Sequence, residues 1–472
     1  MWGKALGLAR QASHREAIAG LDHTGRSQRI SKNLLIDQTS QPSIHASLLY
    51  KHPTVIAASL FLLILSGPPK FRVRDPAASL RGDTDWVVIL HVVVWGLAGL
   101  WVLLQICKRF QAKRPLLRLR LPQILGLALI VGLAASAWVS DAPALTTFKV
   151  YQMLVSLLFT QIFVERFGPR TTLKAIFWGN FLLCIAIAIC ALLAPDLVWG
   201  PSDFSWDPSR LRGDLIAPTG VVSTTVIILL LASVRKVWRA LPLLLVCFLL
   251  GLLALSLMRT AYAVILVFFI LVFLRHPNPK PLRHFAYLLC TTVAALYAYH
   301  WIPSLSKYRD PETIFNLSDR IGLWNYLSNV TLNHSPWLGL GYYSASRIYG
   351  LEYNAGLGTA HSILFEVLLG GGIPSFVSLL VLCLTLFIYV CRLLWVRRDR
   401  FSFAVSSLFV ACVLFGCMGE EIDSGPTAIN FWYSVAVLPC LYERFVKRTS
   451  LRAEARKRIP MSTNPVINQD IL

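Results

Sequence analysis

Long apolar stretches alternate with short polar ones along most of this chain. Each apolar stretch is near the length that crosses roughly 30 Å of hydrocarbon as a helix. Twelve transmembrane helices are predicted, over residues 53–67, 86–107, 121–139, 147–164, 175–195, 216–234, 240–257, 260–274, 285–302, 373–395, 401–418 and 429–443. One connection breaks the rhythm. Residues 303–361 are polar and aromatic by turns and include DRIGLWNYLSNVTLNHSPWLGLGYYS. Loops of that length are functional or disordered, and this one is too aromatic and too patterned for disorder. It is therefore predicted to be an ordered lid containing short helices. Ile321, Trp324, Leu327 and Val330 recur at helical spacing, with Ser318 as the cap and Asp319 in the first turn. Such a helix is expected to lie on the membrane surface or across the mouth of the bundle. The lid closes on AHSILFEVLLGGGIP, a short helical pattern ended by three glycines.

These boundaries divide the chain into a polar tail (1–52), nine helices (53–302), the large loop (303–372), three helices (373–443) and a basic tail (444–472). Composition agrees with a polytopic all-α membrane protein: 472 residues, 56% hydrophobic, mean hydropathy +0.59. A net charge of +21 raises the question of nucleic acid, but the basic residues are spread over many short connections and two tails. With a cytoplasmic N-terminus, and with Arg392 near the inner end of its span counted in, 33 of the 45 Lys and Arg residues fall on the side that alternation puts inside. That is the pattern of the positive-inside rule. Nucleic acid is excluded on this ground, and both termini are expected in the cytoplasm. The first outer connection, with Lys70, Arg72, Arg74 and Arg81, fits least well. Residues 1–50 lack the apolar core of a signal peptide and read as a cytoplasmic tail. The ten cysteines, Cys107, Cys184, Cys247 and Cys412 among them, sit in or beside apolar runs and read as small buried hydrophobes.

The few cations left outside are the informative ones. Arg259, in LSLMRTAY, separates two apolar runs with almost no loop. A charge there is a functional candidate, or an arginine snorkelling to headgroups. Arg320 opens the lid helix, and Arg210 and Arg212 lie in RLRGDLIAPTG. His361 stands at the end of the lid, where a histidine can serve as general base, phosphate ligand or structural hydrogen-bonding group. Glu366, about one turn on, can orient it or act alone. Asp214, Asp319, Glu420, Glu421 and Asp423 are further acidic candidates. Trp337, Tyr342 and Tyr343 offer aromatic faces suited to sugars or to an interfacial belt, whereas Trp324 belongs to the packing stripe of the lid helix. His91 is the clearest ionisable residue within a span and reads as structural. No HExxH, CxxC, GxSxG or paired DxD occurs, so metal, serine and nucleotide-sugar chemistry lack support, and no cofactor is expected.

Together these stretches resemble a known family. DRIGLWNYLSNVTLNHSPWLGLGYYS resembles the start of the large periplasmic loop of O-antigen ligases and Wzy-type polysaccharide polymerases, where an Arg, a nearby Trp and a P-x-x-G-x-G turn occur together. AHSILFEVLLGGGIPS resembles the histidine-led element that closes that loop, and LSLMRTAYAV the S-x-x-R junction between two helices. RLRGDLIAPTG resembles an R-x-x-G element that usually ends in Asn; this chain has Thr219 there. The resemblance implies a GT-C-like, inverting, metal-independent glycosyltransferase of the bacterial inner membrane. Its donor would be a glycan on undecaprenyl diphosphate, and its acceptor a glycan or lipid A-core at the periplasmic face. Other polysaccharide assembly proteins would be partners, alongside membrane lipids. Arg212, Arg259 and Arg320 would bind the diphosphate and His361 would sit at the reaction centre, supported by Arg210, Glu366, Trp324 and Tyr342.

A transporter or flippase of lipid-linked glycans is the rival class. Such proteins show internal repeats and broken or charged helices at the bilayer midplane, which this sequence does not display. The motifs concern the donor, so they do not separate a polymerase from a ligase.

Overall fold

The structure, a computed structural model, describes residues 58–62, 65, 85–113, 119–200, 210–213, 216–233, 240–256, 258–275, 320–353, 359–396, 399–419 and 422–458. The N-terminal tail, the predicted span 285–302, and the candidates Asp214, Ser318, Asp319, Glu420 and Glu421 lie outside them.

Helix α1 (Trp86–Gln111) starts where the Asp85 carboxylate accepts from the Val87 and Val88 amides at 2.8 and 3.0 Å, which satisfies two of the donors every helix start exposes. Its last turn carries Lys108 and Arg109, the favourable sign for a helix C-terminus. Helix α2 (Leu121–Ala135) continues into a 3-10 turn (Ser136–Trp138). Helices α3 (Pro143–Phe167) and α4 (Pro169–Leu193) each begin on a proline, whose missing N–H costs nothing at a helix start. Next come a two-residue antiparallel ladder, β1 (Trp199–Gly200) with β2 (Arg210–Leu211), and α5 (Thr219–Ser233), α6 (Ala240–Ser256) and α7 (Arg259–Arg275). The outer elements are α8 (Arg320–His334) and α9 (Ser344–Tyr353). Helices α10 (Ile363–Val396), α11 (Arg400–Cys417) and α12 (Gly425–Arg458) complete the chain.

Among the described residues, α1, α2 with its 3-10 turn, α3, α4, α10 and α11 are long and apolar enough to cross a membrane, and α5, α6 and α7 are shorter apolar helices. The chain is therefore a helical, polytopic membrane protein. Helix α1 exposes Leu97, Leu100, Leu103 and Leu104, the outward face expected of a helix against hydrocarbon. Helix α5 is buried from Thr219 to Ala232 and packs on α4, α6, α11 and α12. It has no polar face because it has no exposed one.

Two boundaries differ from the sequence reading. Helix α12 runs fifteen residues beyond Glu443, because the basic tail is rich in Arg, Lys, Ala, Leu and Glu, which favour helix without apolar burial. The histidine-led segment and the predicted span 373–395 form one element, α10, bent at Gly372. Of the predicted thiols, Cys184 and Cys412 are buried as expected. Cys107 and Cys247 are exposed on helix faces, because an apolar run facing lipid need not face the core. The nine described cysteines are free.

Arginine contacts mark one end of the bundle. There Arg109 pairs with Glu165, Arg166 donates to Gln105 at 3.0 Å, Arg120 Nε lies 2.6 Å from Glu443 Oε1, and Arg400 donates to the Ser233 carbonyl at 3.4 Å. The opposite end carries α8, α9, the start of α3, the end of α11 and the start of α12. All the site candidates discussed below lie there.

Candidate functional site

Helix α8 forms over the predicted stretch, but its buried side is Leu323, Leu327, Val330 and Thr331. Leu327 and Val330 are buried as predicted, but Ile321 is exposed, so the stripe is rotated slightly from the predicted one. The reason is Trp324, which turns sideways to work between elements. Its indole stacks on Phe365 at 4.9 Å between centroids and donates to the Ala360 carbonyl at 2.8 Å. Trp324 thereby ties the start of the outer segment to its end. Trp324→Phe, which keeps the ring and loses the donor, should cost about 1 kcal/mol. Trp324→Ala should cost about 3 kcal/mol. Thermal unfolding in detergent reads both, and equal losses would show that the hydrogen bond contributes nothing.

The turn after α8 docks on the break in α10 by backbone alone. Leu340 N donates to Leu369 O at 2.8 Å, Gly341 N to Gly370 O at 3.2 Å, and Ile373 N to Pro336 O at 2.8 Å. The broken helix needs these bonds, since its backbone groups at the break have lost intrahelical partners. Beyond the turn, Thr146, Ser140 and Ser344 share a hydroxyl cluster at 2.8–2.9 Å, and Thr146 donates to the Tyr342 carbonyl at 3.1 Å. Tyr342 is fully buried, so its ring packs in the core and presents no face to a sugar. Ser346 on α9 donates to the Glu366 carboxylate on α10 at 2.8 Å; Glu366 is buried and holds these two helices together.

The short connection between α11 and α12 gathers the candidates. Arg320 Nη1 donates to the Met418 carbonyl at 3.1 Å. Next to it, Gly419 faces His361: a side-chain carbon on Gly419 would lie 3.9 Å from His361 Nδ1. His361 itself has φ +50, an uncommon conformation outside glycine. Burial disfavours the Arg320 charge, and the nearby Arg259 guanidinium adds to this. Both push the Arg320 pKa below the ordinary arginine value. Two guanidiniums whose charges act on one another at the start of a helix make a place suited to an anion.

Arg259 opens α7 after a tight turn in which Met258 N donates to Ser256 Oγ at 3.4 Å. Arg259 is exposed. Gly220 at the start of α5 abuts Met258, where an added carbon would lie 2.6 Å from the sulfur. That contact brings the Arg212 turn beside the Arg259 turn. There Thr219 N donates to Arg212 O at 3.0 Å, and Gly213 N to Val198 O at 2.9 Å. Thr219 thus takes part through its backbone in the element whose usual Asn it replaces. Arg210 lies in β2, one residue from this turn.

Sequence reading did not single out Lys149 or Arg347, and took Tyr343 only as an aromatic face. Lys149 lies two residues inside a predicted span, and a lone lysine in an apolar run is itself a signal. Its Nζ lies 2.6 Å from Asp423 Oδ2. Asp423, one of several unranked acids in the sequence, is fully buried in that ion pair.

A polytopic helical membrane protein with an arginine pair and a histidine gathered at one end of its bundle is the class these features define. Residues 243–380 match the family model described as O-antigen ligase. Over these residues the chain is similar to the O-antigen ligase family, the family that the motifs resemble. The match runs from α6 into α10 and includes Arg259, Arg320 and His361; Lys149, Arg212 and Asp423 fall outside it. A search of curated proteins finds no relative.

Proposed function

We propose that this protein is an inner-membrane glycosyltransferase that moves a glycan from undecaprenyl diphosphate to an acceptor hydroxyl at the periplasmic face, in polymerisation or ligation of a surface polysaccharide. In this reading the chain has twelve spans in a GT-C-like arrangement, both termini cytoplasmic, and residues 303–372 covering the outer mouth. The observation that carries it is that Arg320 and His361, far apart in sequence, both meet the Met418–Gly419 connection, with the Arg259 charge acting on Arg320.

The chemistry follows from that arrangement. The acceptor hydroxyl loses a proton, its oxygen attacks the anomeric carbon from the side opposite the leaving group, and the bond to the diphosphate breaks with inversion. The departing diphosphate takes the electron pair. Arg259 and Arg320 stabilise that growing charge with charge-assisted hydrogen bonds, Arg212 adding to the same anion. His361 is the candidate base for the hydroxyl proton. No step draws on a cofactor.

Purified protein in detergent, given lipid-linked glycan and acceptor, should transfer the glycan without nucleotide or ion gradient. Dependence on either would favour a transporter and overturn the proposal.

A further inference from the structure

The buried pair Lys149–Asp423 sits at the site end of the bundle, and its contacts reach well beyond itself. The Lys149 ammonium lies 3.8 Å from the centre of the Tyr343 ring, and the Arg347 guanidinium lies 3.2 Å from the same ring. Arg347 also donates to the Tyr343 carbonyl at 3.2 Å. Tyr343 has φ +69, so this turn is held in a conformation that a tyrosine does not adopt unaided. On the other side, Ser156 donates to the Asp423 carbonyl at 3.4 Å, and Trp432 Nε1 to the Ile422 carbonyl at 2.9 Å. One end of the α11–α12 connection is thus fixed to α3 and α12, while its other end, Met418 and Gly419, carries the contacts to Arg320 and His361.

A buried ion pair is a poor way to stabilise a fold, because desolvation offsets much of the attraction and apolar residues usually serve as well. Its place here suggests a different use. We propose that Lys149 and Asp423 are a positioning pair. They hold the α11–α12 connection and the Tyr343 turn in register, so that Arg320 and His361 meet the reacting groups in one geometry. The inference rests on the transfer reaction proposed above. Lys149 and Asp423 touch neither the reacting atoms nor the diphosphate in this scheme.

The test uses the full chain in detergent with K149R, K149M, D423N and the double variant K149M/D423L. Three quantities are measured: kcat and KM for the lipid-linked donor, melting temperature, and the rate at which diethyl pyrocarbonate modifies His361, read by mass spectrometry. K149M leaves a buried carboxylate uncompensated and can fail to fold; the double variant, without either charge, carries the test in that case. Small displacements of catalytic groups cost on the order of 10²-fold in rate. K149M, D423N and K149M/D423L should therefore lose about that factor in kcat, with KM within about threefold, while His361 is modified faster. K149R should keep most of the activity. A double variant with wild-type kcat and wild-type His361 modification overturns the pair's role. Should the wild type itself transfer nothing, the glycosyltransferase reading falls. The His361 modification rates still decide whether the pair positions that residue: faster modification in the variants supports it and unchanged rates reject it.

Discussion

Arg320→Ala should lower the rate of glycan transfer by about a hundred- to a thousand-fold while the protein still inserts and folds. That is the usual loss when one fixed donor to a developing negative charge is removed. The effect on stability is expected to be small or favourable. Burial and the neighbouring Arg259 charge both work against ionised Arg320, and its hydrogen bond to the Met418 carbonyl is modest compensation. If Arg320 served only the fold, such an arrangement would have little to recommend it. The alanine variant should therefore melt at the wild-type temperature or above, even as it loses activity. Arg320→Lys keeps a charge but not the planar fork that matches two phosphate oxygens, and should recover only part of the loss. Arg259→Ala should fall in the same range. Combining it with Arg320→Ala should cost less than the two losses multiplied, because both side chains act on one diphosphate. Single-turnover transfer of a lipid-linked glycan measures all four variants. Wild-type rates in Arg320→Ala would remove this residue from the site.

Much of this arrangement was legible in the sequence, for identifiable reasons. Apolar length located the described spans, since crossing hydrocarbon imposes a length on any helix. Arg259, Arg320 and His361 stood out because a cation or histidine beside an apolar run is costly unless it is used. What the sequence did not reveal depends on distances across the bundle. Lys149 and Asp423 are 274 positions apart and pair only because α3 and the start of α12 meet. Tyr342 and Tyr343 are adjacent and look alike, yet one is wholly buried and the other lies between two cations. The local backbone decides which is which, and no periodicity foretells a positive φ at Tyr343. The offset of the α8 stripe has a similar origin: Trp324 answers to Phe365 and Ala360 on another segment, not to its own helix.

Gly372→Ala should be the most damaging small substitution outside the arginine cluster, through stability and not chemistry. Gly372 has φ 67 and ψ −169, a region essentially reserved for glycine. An added carbon would also lie 2.6 Å from the Pro336 carbonyl oxygen and 2.7 Å from the Trp337 carbonyl carbon. Those atoms are backbone, and Pro336 O is already the acceptor for Ile373 N, so neither can swing aside without breaking the bond that closes the helix break. Gly339 faces the same junction from the other side, where an added carbon would lie 2.5 Å from the Gly370 carbonyl. Strain of this kind costs about 1–3 kcal/mol and forced overlap in a well-packed region about as much again. Gly372→Ala and Gly339→Ala should therefore each lose on the order of 2–6 kcal/mol. Gly96→Ala is the matched control: it sits within α1 with no neighbour inside 4 Å, and alanine there should be neutral or stabilising by up to about 1 kcal/mol. Thermal unfolding of the three variants in one detergent separates the cases. If Gly372→Ala melts with Gly96→Ala, the bend in α10 does not depend on glycine. The backbone ladder that seats the P-x-x-G-x-G turn would then have to be held by the side chains of α8 and α10 instead.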